Sequence, residues 1–364
     1  MGPVKACVLA AGPAGFVAAA QLRLAGWEVE LLRAPQARRL RPARLRAADL
    51  VRLREIAALG NQDPSLLTFA PEFESWGLPD GPRYSFALQG FEWRADKWVQ
   101  EDRLNELLDA SVRSLGVKVR PLPAALRPPV IEDPRPDEPL RIVEVGPMEL
   151  PLWSTGHEKE GLRIEACEIR LPFGRLAQVD ACQVQRLEGC AAYLEPHADS
   201  GFVLSLYAAS KYPLERALAS LRNPRGGGPA AWRALFMVNP GAEVLWRRHL
   251  VGVTDFFYPG TFALGSALGE ICPGVNLQLS ESLAQADRLA RLLTQPTPGG
   301  EVSPRRWMRL SETWSAEENK RLDRAVKRSE AGERLCLSEG PRRVVLPLTT
   351  LLPRPVRHFL KLPV

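Results

Sequence analysis

The turn Gly12-Pro13-Ala14-Gly15 is the first place in this chain where residue type and spacing suggest chemistry. It follows a short apolar run, Val4 to Ala11, and precedes a small-residue segment that ends at Gly26, after which a second strand-like run covers Trp27 to Leu32. The spacing predicts strand, turn, helix, strand. The chemistry it offers is anion binding. Glycines let the backbone close on a pyrophosphate, and a helix N-terminus turns free N–H groups and the positive end of its dipole toward it. Cations crowd the next stretch: Arg33, then Arg38, Arg39, Arg41, Arg44, Arg46, Arg52 and Arg54. Guanidinium forks match phosphate oxygens, so Arg44 and Arg46 are candidates for the same pyrophosphate; a solvated loop and helix face is the alternative. No Gly-x-Ser-x-Gly elbow or nucleophile–base pair is legible, and the catalytic residue stays unassigned. His157 and His197 lie in polar turns. His249 and His358 are flanked by arginines and read as surface residues.

The elements that must position these residues belong to a chain of 364 residues, 45% of them hydrophobic. That suits one large domain or two interleaved ones with a real core. The net charge is +6, and only eight of the 48 basic residues are lysines. No aromatics interleave with the arginines, so nucleic-acid binding is not expected. No run of about 18 apolar residues is present, and no basic segment precedes the apolar start, so neither a spanning helix nor a secretory leader is expected. The six cysteines are scattered and lie away from the histidines. They read as buried free thiols in a reducing, cytoplasmic setting, with no metal site.

Periodicity predicts a helix over 47–59, strands or a hairpin over 84–99, an amphipathic helix over 101–115 and a strand at 117–119. From about 140 to 209 short alternating runs suggest an antiparallel sheet. A short helix follows at 210–221, a strand at 248–252, and helices near 276–293 and 312–331. The fold class is therefore α/β: a Rossmann-like dinucleotide domain (1–75, 98–140 and 235–300) with an interleaved antiparallel, β-rich substrate domain (76–97 and 141–234) and a C-terminal helical tail (301–364).

Three segments resemble the flavoprotein monooxygenase group with the p-hydroxybenzoate-hydroxylase fold, which includes geranylgeranyl-reductase-like and halogenase-like proteins. They are AAGPAGFVAAAQLRLAGWEVELL, the order Glu74-Ser75-Trp76-Gly77 then Trp98 to Val119, and LVGVTDFFYPGTFALGSALGE, where Gly252, Pro259 and Gly265 keep the family's register. The resemblance implies FAD as cofactor, NADPH or NADH as reductant, and a small apolar or aromatic substrate. It implies a cofactor site at Ala10, Ala11, Gly12, Pro13, Ala14, Gly15, Arg33, Arg44, Arg46, Gly252, Val253, Asp255, Pro259 and Gly265. It puts Phe256, Phe257 and Tyr258, with Trp93, in the substrate pocket, although core packing is the ordinary fate of each aromatic. The tryptophan motif of flavin halogenases is absent; Phe91-Glu92-Trp93 keeps only its aromatic spacing.

Departures from the family cluster at cofactor positions. Ala10 replaces a glycine of Gly-x-Gly-x-x-Gly. Arg33 stands where an acid would hold the ribose, and an arginine there suits a 2′-phosphate or faces solvent. Glu101 stands near a usual arginine, Val253 replaces an aspartate, and the mid-chain Asp-Gly has only Thr155-Gly156 as a counterpart. Two readings follow. One is an FAD-dependent oxidoreductase, monooxygenase-like or reductase-like, in a biosynthetic pathway. The other is a cofactor-free, degenerate member of the fold that binds, assembles or catalyses without redox chemistry.

Overall fold

The computed structural model describes residues 4–35, 39–63, 68–69, 73–77, 83–87, 97–123, 139–144, 162–174, 182–197, 199, 201–253, 260–276, 278–295 and 304–337. Its centre is a five-stranded sheet, parallel at every pairing. The strands are β1 (Lys5–Ala10), β2 (Glu28–Arg33), β8 (Lys118–Pro121), β9 (Leu140–Val143) and β15 (Thr261–Ala263), in the order β15-β9-β1-β2-β8. Strands covered on both faces read as continuous apolar runs. Val8, Leu31, Ile142 and Phe262 are accordingly fully buried. Three helices cover the sheet: α1 (Pro13–Leu24), α3 (Glu101–Ser114) and α6 (Gln278–Thr294). α1 packs on both of the others, and its Ala18, Ala19 and Ala20 permit the close approach. α2 (Ala47–Leu59) closes at Gly60, where an added Cβ would lie 2.5 Å from the Ser111 Cα on α3.

An eight-stranded sheet has the order β16-β14-β10-β13-β12-β11-β5-β6. It consists of β5 (Phe73–Gly77), β6 (Arg83–Ala87), β10 (Leu162–Leu171), β11 (Cys182–Leu187), β12 (Cys190–Pro196), β13 (Phe202–Ala208), β14 (Glu243–Val253) and β16 (Gly269–Glu270), antiparallel except where β11 meets β5. α4 (Lys211–Arg222) and α5 (Ala230–Val238) cover this sheet around buried Trp232, whose Nε1 donates to Gln183 Oε1 at 2.6 Å. A small third sheet joins β3 (Ala43–Leu45), β7 (Lys97–Val99) and β4 (Thr68–Phe69). The tail helix α7 (Pro304–Leu337) docks along the return of the chain: Trp314 Nε1 donates to the Ala263 carbonyl, and buried Glu318 takes a two-pronged pair from Arg288 on α6.

Two strands fall elsewhere than the sequence suggests. β9, just past the expected edge of the first domain, lies in the parallel sheet beside β1. β14 is longer than the strand expected at 248–252 and pairs along β10 in the antiparallel sheet, while the strand that returns to the parallel sheet is β15. The reason is pairing. β14 alternates in burial along its length, as a strand with one solvated face does, whereas Thr261–Ala263 is buried at every residue.

Candidate functional site

In open α/β sheets, ligands bind beyond the carboxyl ends of the strands, where the strand order reverses. Here that point is the edge shared by β1 and β9. The turn after β1 leads directly into α1, with Gly12 as N-cap and Pro13 at the first helical position. Proline suits that position, since its missing N–H would be unpaired there anyway. The first turn of α1 carries no acidic residue and no side-chain cap of its own.

The orphan N–H groups are nonetheless satisfied, by a carboxylate about 130 residues away. Glu144 Oε2 accepts from Gly12 N at 2.8 Å, Gly15 N at 3.0 Å and Ala11 N at 3.2 Å, and its Oε1 accepts from Ala14 N at 3.0 Å. The register of β9 on β1 places it: Val143 pairs Leu9, so Glu144 follows at the carboxyl edge, its own N–H bound to the Leu9 carbonyl. The residue is 5% exposed. Burial pushes its carboxyl up to about 7, against the pull of the Gly12, Gly15 and Ala14 N–H groups, and Glu101 adds to the rise. The fit is tight. A Cβ on Gly15 would meet the Ala10 Cβ at 2.6 Å and Glu144 Oε2 at 2.7 Å, so Ala10 in place of glycine is accommodated only because residue 15 has no side chain.

Gly265 belongs to the same place. It follows β15, has a positive φ of 53°, donates to Gln285 Oε1 at 2.8 Å, and a Cβ there would lie 3.2 Å from the Glu144 Cγ. The neighbouring Ser266 Oγ donates to the Glu144 carbonyl. Ala10, Ala11, Gly12, Pro13, Ala14, Gly15 and Gly265 are thus brought together. Gly252 and Val253 end β14, where the register shifts and the strand pairs with β16 in the antiparallel sheet; Val253 packs on the same apolar cluster as Ala11. Trp93, Asp255, Phe256, Phe257, Tyr258 and Pro259 lie outside the described residues, as do Thr155, Gly156, His157 and His358.

The arginines are committed within the chain. Arg33 ends β2 and pairs with Asp109 on α3 at 3.0 Å, and Arg46 pairs with Glu281 on α6 at 2.5 Å. Arg44 is buried in β3. Glu101, at the family's arginine position, pairs with Arg39 at 3.2 Å, so the charge is reversed and balanced at once.

The parallel and antiparallel sheets meet through an apolar cluster that includes Leu9, Val143, Ala263, Ala166, Tyr207 and Val251, and a buried polar cluster lies on the antiparallel sheet, at β10, β12, β13, β14 and β16. The Glu168 carboxylate accepts the N–H groups of Leu40 and Arg41. The Arg41 guanidinium is gripped by both Glu195 oxygens at 2.5 and 2.6 Å, by Tyr207 Oη at 2.9 Å and by the Pro273 carbonyl at 2.6 Å. A cavity of about 30 Å³ remains, lined by Arg39, Arg41, Glu168, Tyr207, His249 and Glu270. That is room for a water or two, not for a three-ring heterocycle. His249 is buried here rather than on the surface. Its Nδ1 lies 2.9 Å from Glu270 Oε2; burial raises the Glu270 carboxyl, but His249, Arg39 and Arg247 outweigh it and hold it below the usual range. Of the two arginines that flank His249, exposed Arg248 faces the other side of β14, whereas Arg247 shares the His249 face and feels Glu168, Glu101 and Glu270. His197 accepts from the Asp199 N–H within its own turn. Among the described residues no cluster has metal-ligand character, and no helix is long and apolar enough to cross a membrane. Cys7, Cys167, Cys190 and Cys272 are free.

No family model matches the chain, and no curated protein matches it in sequence. Solved structures do match its fold. PqsL of Pseudomonas aeruginosa, described as a probable FAD-dependent monooxygenase, aligns over 95% of this chain and 99% of its own with a TM-score of 0.63 at 14% identity. Klebsiella pneumoniae HpxO, solved with FAD and uric acid, aligns over 98% and 96% with a TM-score of 0.65 at 14% identity. The flavin-dependent halogenase CmlS aligns over 94% of this chain and 67% of its own with a TM-score of 0.64 at 15% identity. The chain has the fold of the flavoprotein monooxygenase group. The diphosphate of FAD would fit the donor set around Gly12 in direction, with the Glu144 carboxyl group as its stand-in.

Proposed function

We propose that this chain is an FAD-dependent oxidoreductase acting on a small apolar or aromatic molecule in a biosynthetic pathway. The cradle carries the reading. Four backbone N–H groups converge on one carboxyl group at the reversal point of the parallel sheet, in a chain that shares its fold almost end to end with flavin-dependent proteins. One of those structures holds 2-aminobenzoylacetate and another uric acid, which supports the substrate class. In such a protein the cofactor supplies the redox chemistry, while the chain supplies position and dryness. The N–H groups of Ala11, Gly12, Ala14 and Gly15 would hold the diphosphate. Glu144 would first have to withdraw from them. NADPH or NADH is the proposed reductant, and the cytoplasm the proposed location.

A second reading has its own observation. Glu144 fills the cradle, and the Arg41–Glu195 pair is buried on the antiparallel sheet. Both favour a cofactor-free protein that binds or assembles, or a non-redox catalyst. The visible spectrum of the purified protein, recorded before and after incubation with excess FAD and dialysis, separates the two. A stoichiometric flavin spectrum is expected on the first reading. A protein that stays colourless after both steps overturns it.

A further inference from the structure

We propose that Glu144 is an intramolecular occupant of the phosphate cradle, a built-in competitor that sets how tightly any diphosphate-bearing ligand binds at the first turn of α1. The argument starts with donors. The first N–H groups of a helix have no partner within it, and leaving them buried and unpaired is costly. A dinucleotide-binding turn ordinarily leaves them for the ligand. In this chain they are already paired, by a carboxyl group whose two oxygens accept as phosphate oxygens would. All four donors go to two oxygens of one side chain at 2.8–3.2 Å.

Three features mark the contact as built into the fold. Glu144 comes from a different strand, and the β1–β9 register sets its place. Its backbone is tied down on both sides, its N–H to Leu9 O and its carbonyl to Ser266 Oγ. Finally, Gly12, Gly15 and Gly265 all lack side chains where a Cβ would stand 2.7–3.2 Å from atoms of Glu144. The turn is shaped around this side chain. A phosphate and the Glu144 carboxyl group cannot share the cradle, since both would claim the same four donors. Binding of a diphosphate therefore requires the open arrangement, and the apparent affinity falls by the fraction of molecules in which Glu144 has swung out.

The test compares the wild-type protein with Glu144→Ala, using inorganic pyrophosphate, ADP and FAD as separate probes. Thermal stability reports the first two, and flavin absorbance after dialysis reports the third. The alanine variant should lose thermal stability, because its four N–H groups are left unpaired, and should regain it with ADP or pyrophosphate. The wild type should shift little at the same concentrations. FAD and ADP should bind the variant more tightly than the wild type by on the order of 100-fold. Should the alanine variant not fold, Glu144→Gln keeps the volume and removes the charge, with the same direction expected. Equal affinities for ADP in wild type and variant, or no binding of any probe to either variant, would overturn the inference. It rests on the oxidoreductase reading only for the identity of the displaced ligand. A variant that gains ADP but not FAD supports the competitor role and overturns the flavin reading; a wild type that already holds FAD as tightly as the variant does the reverse.

Discussion

Replacing Glu144 by glutamine should flatten one part of the protein's stability–pH curve, and the size of the change follows from the site. The carboxyl is raised by burial from an ordinary 4.5 to about 7. At about 1.4 kcal/mol per tenfold change in proton affinity, that corresponds to about 3 kcal/mol. The sign follows from which state holds the proton more tightly. The folded protein does, so the contribution to stability is fully present below about pH 4.5 and is lost as pH rises through about 7. The four N–H contacts act in the opposite direction and are already contained in the net rise. In Glu144→Gln the amide cannot titrate. Its oxygen can serve three donors, and its NH2 then faces the Ala14 N–H, which lowers stability by a constant amount at every pH. Urea unfolding from pH 4.5 to 8 on both proteins isolates the effect, because all other titrations cancel in the difference. The difference should change by about 3 kcal/mol across that range, with the wild type losing stability relative to the variant as pH rises. Parallel curves would refute the reasoning. A wild type that gains relative stability with pH would show that the N–H groups outweigh burial and that the carboxylate is fully ionised at neutral pH.

Two further substitutions probe the packing around the site. Glu195→Gln removes the paired counter-charge from a guanidinium only 5% exposed, and should cost about 3–5 kcal/mol in urea unfolding; a loss below about 1 kcal/mol would mean that Arg41 is solvated in its cluster. Gly60→Ala pushes a Cβ against the Ser111 backbone of α3 at 2.5 Å and should cost about 1–3 kcal/mol by overpacking, with faster hydrogen exchange at the C-terminal end of α2. An unchanged midpoint would show that α2 and α3 slide apart freely.

Much of the architecture is legible in the sequence. The β1–α1–β2 unit, α2, α3, α6 and the antiparallel middle follow from periodicity and turn residues, and the resemblance to flavoproteins rested on the same segments. The return of the chain was less legible. Gly252 and Gly265 both sit near a strand end, and local pattern does not say which strand joins the parallel sheet. The answer depends on β14 finding β10 and β15 finding β9, pairings between residues far apart in sequence. Glu144 escaped notice for a related reason. An acid directly after the apolar strand Leu140–Val143 is visible in the sequence, but it is informative only once that strand is known to lie beside β1.

The sequence by itself determined that a glycine turn leads from a strand into a helix N-terminus with free backbone N–H groups. Glycine positions, the small-residue helix and the strand before it are local requirements, met by residues within one stretch of about 30 (Val4 to Arg33). It also determined that the cofactor positions depart from the family, since Ala10, Arg33 and Glu101 are plain to read. What only the tertiary structure decided is where those departures lead. Arg33 meets Asp109, Glu101 meets Arg39, Arg41 meets Glu195, and the cradle meets Glu144. Each is a charge whose partner lies tens to hundreds of residues away, and electrostatic pairing depends on distance in space, which local sequence does not encode.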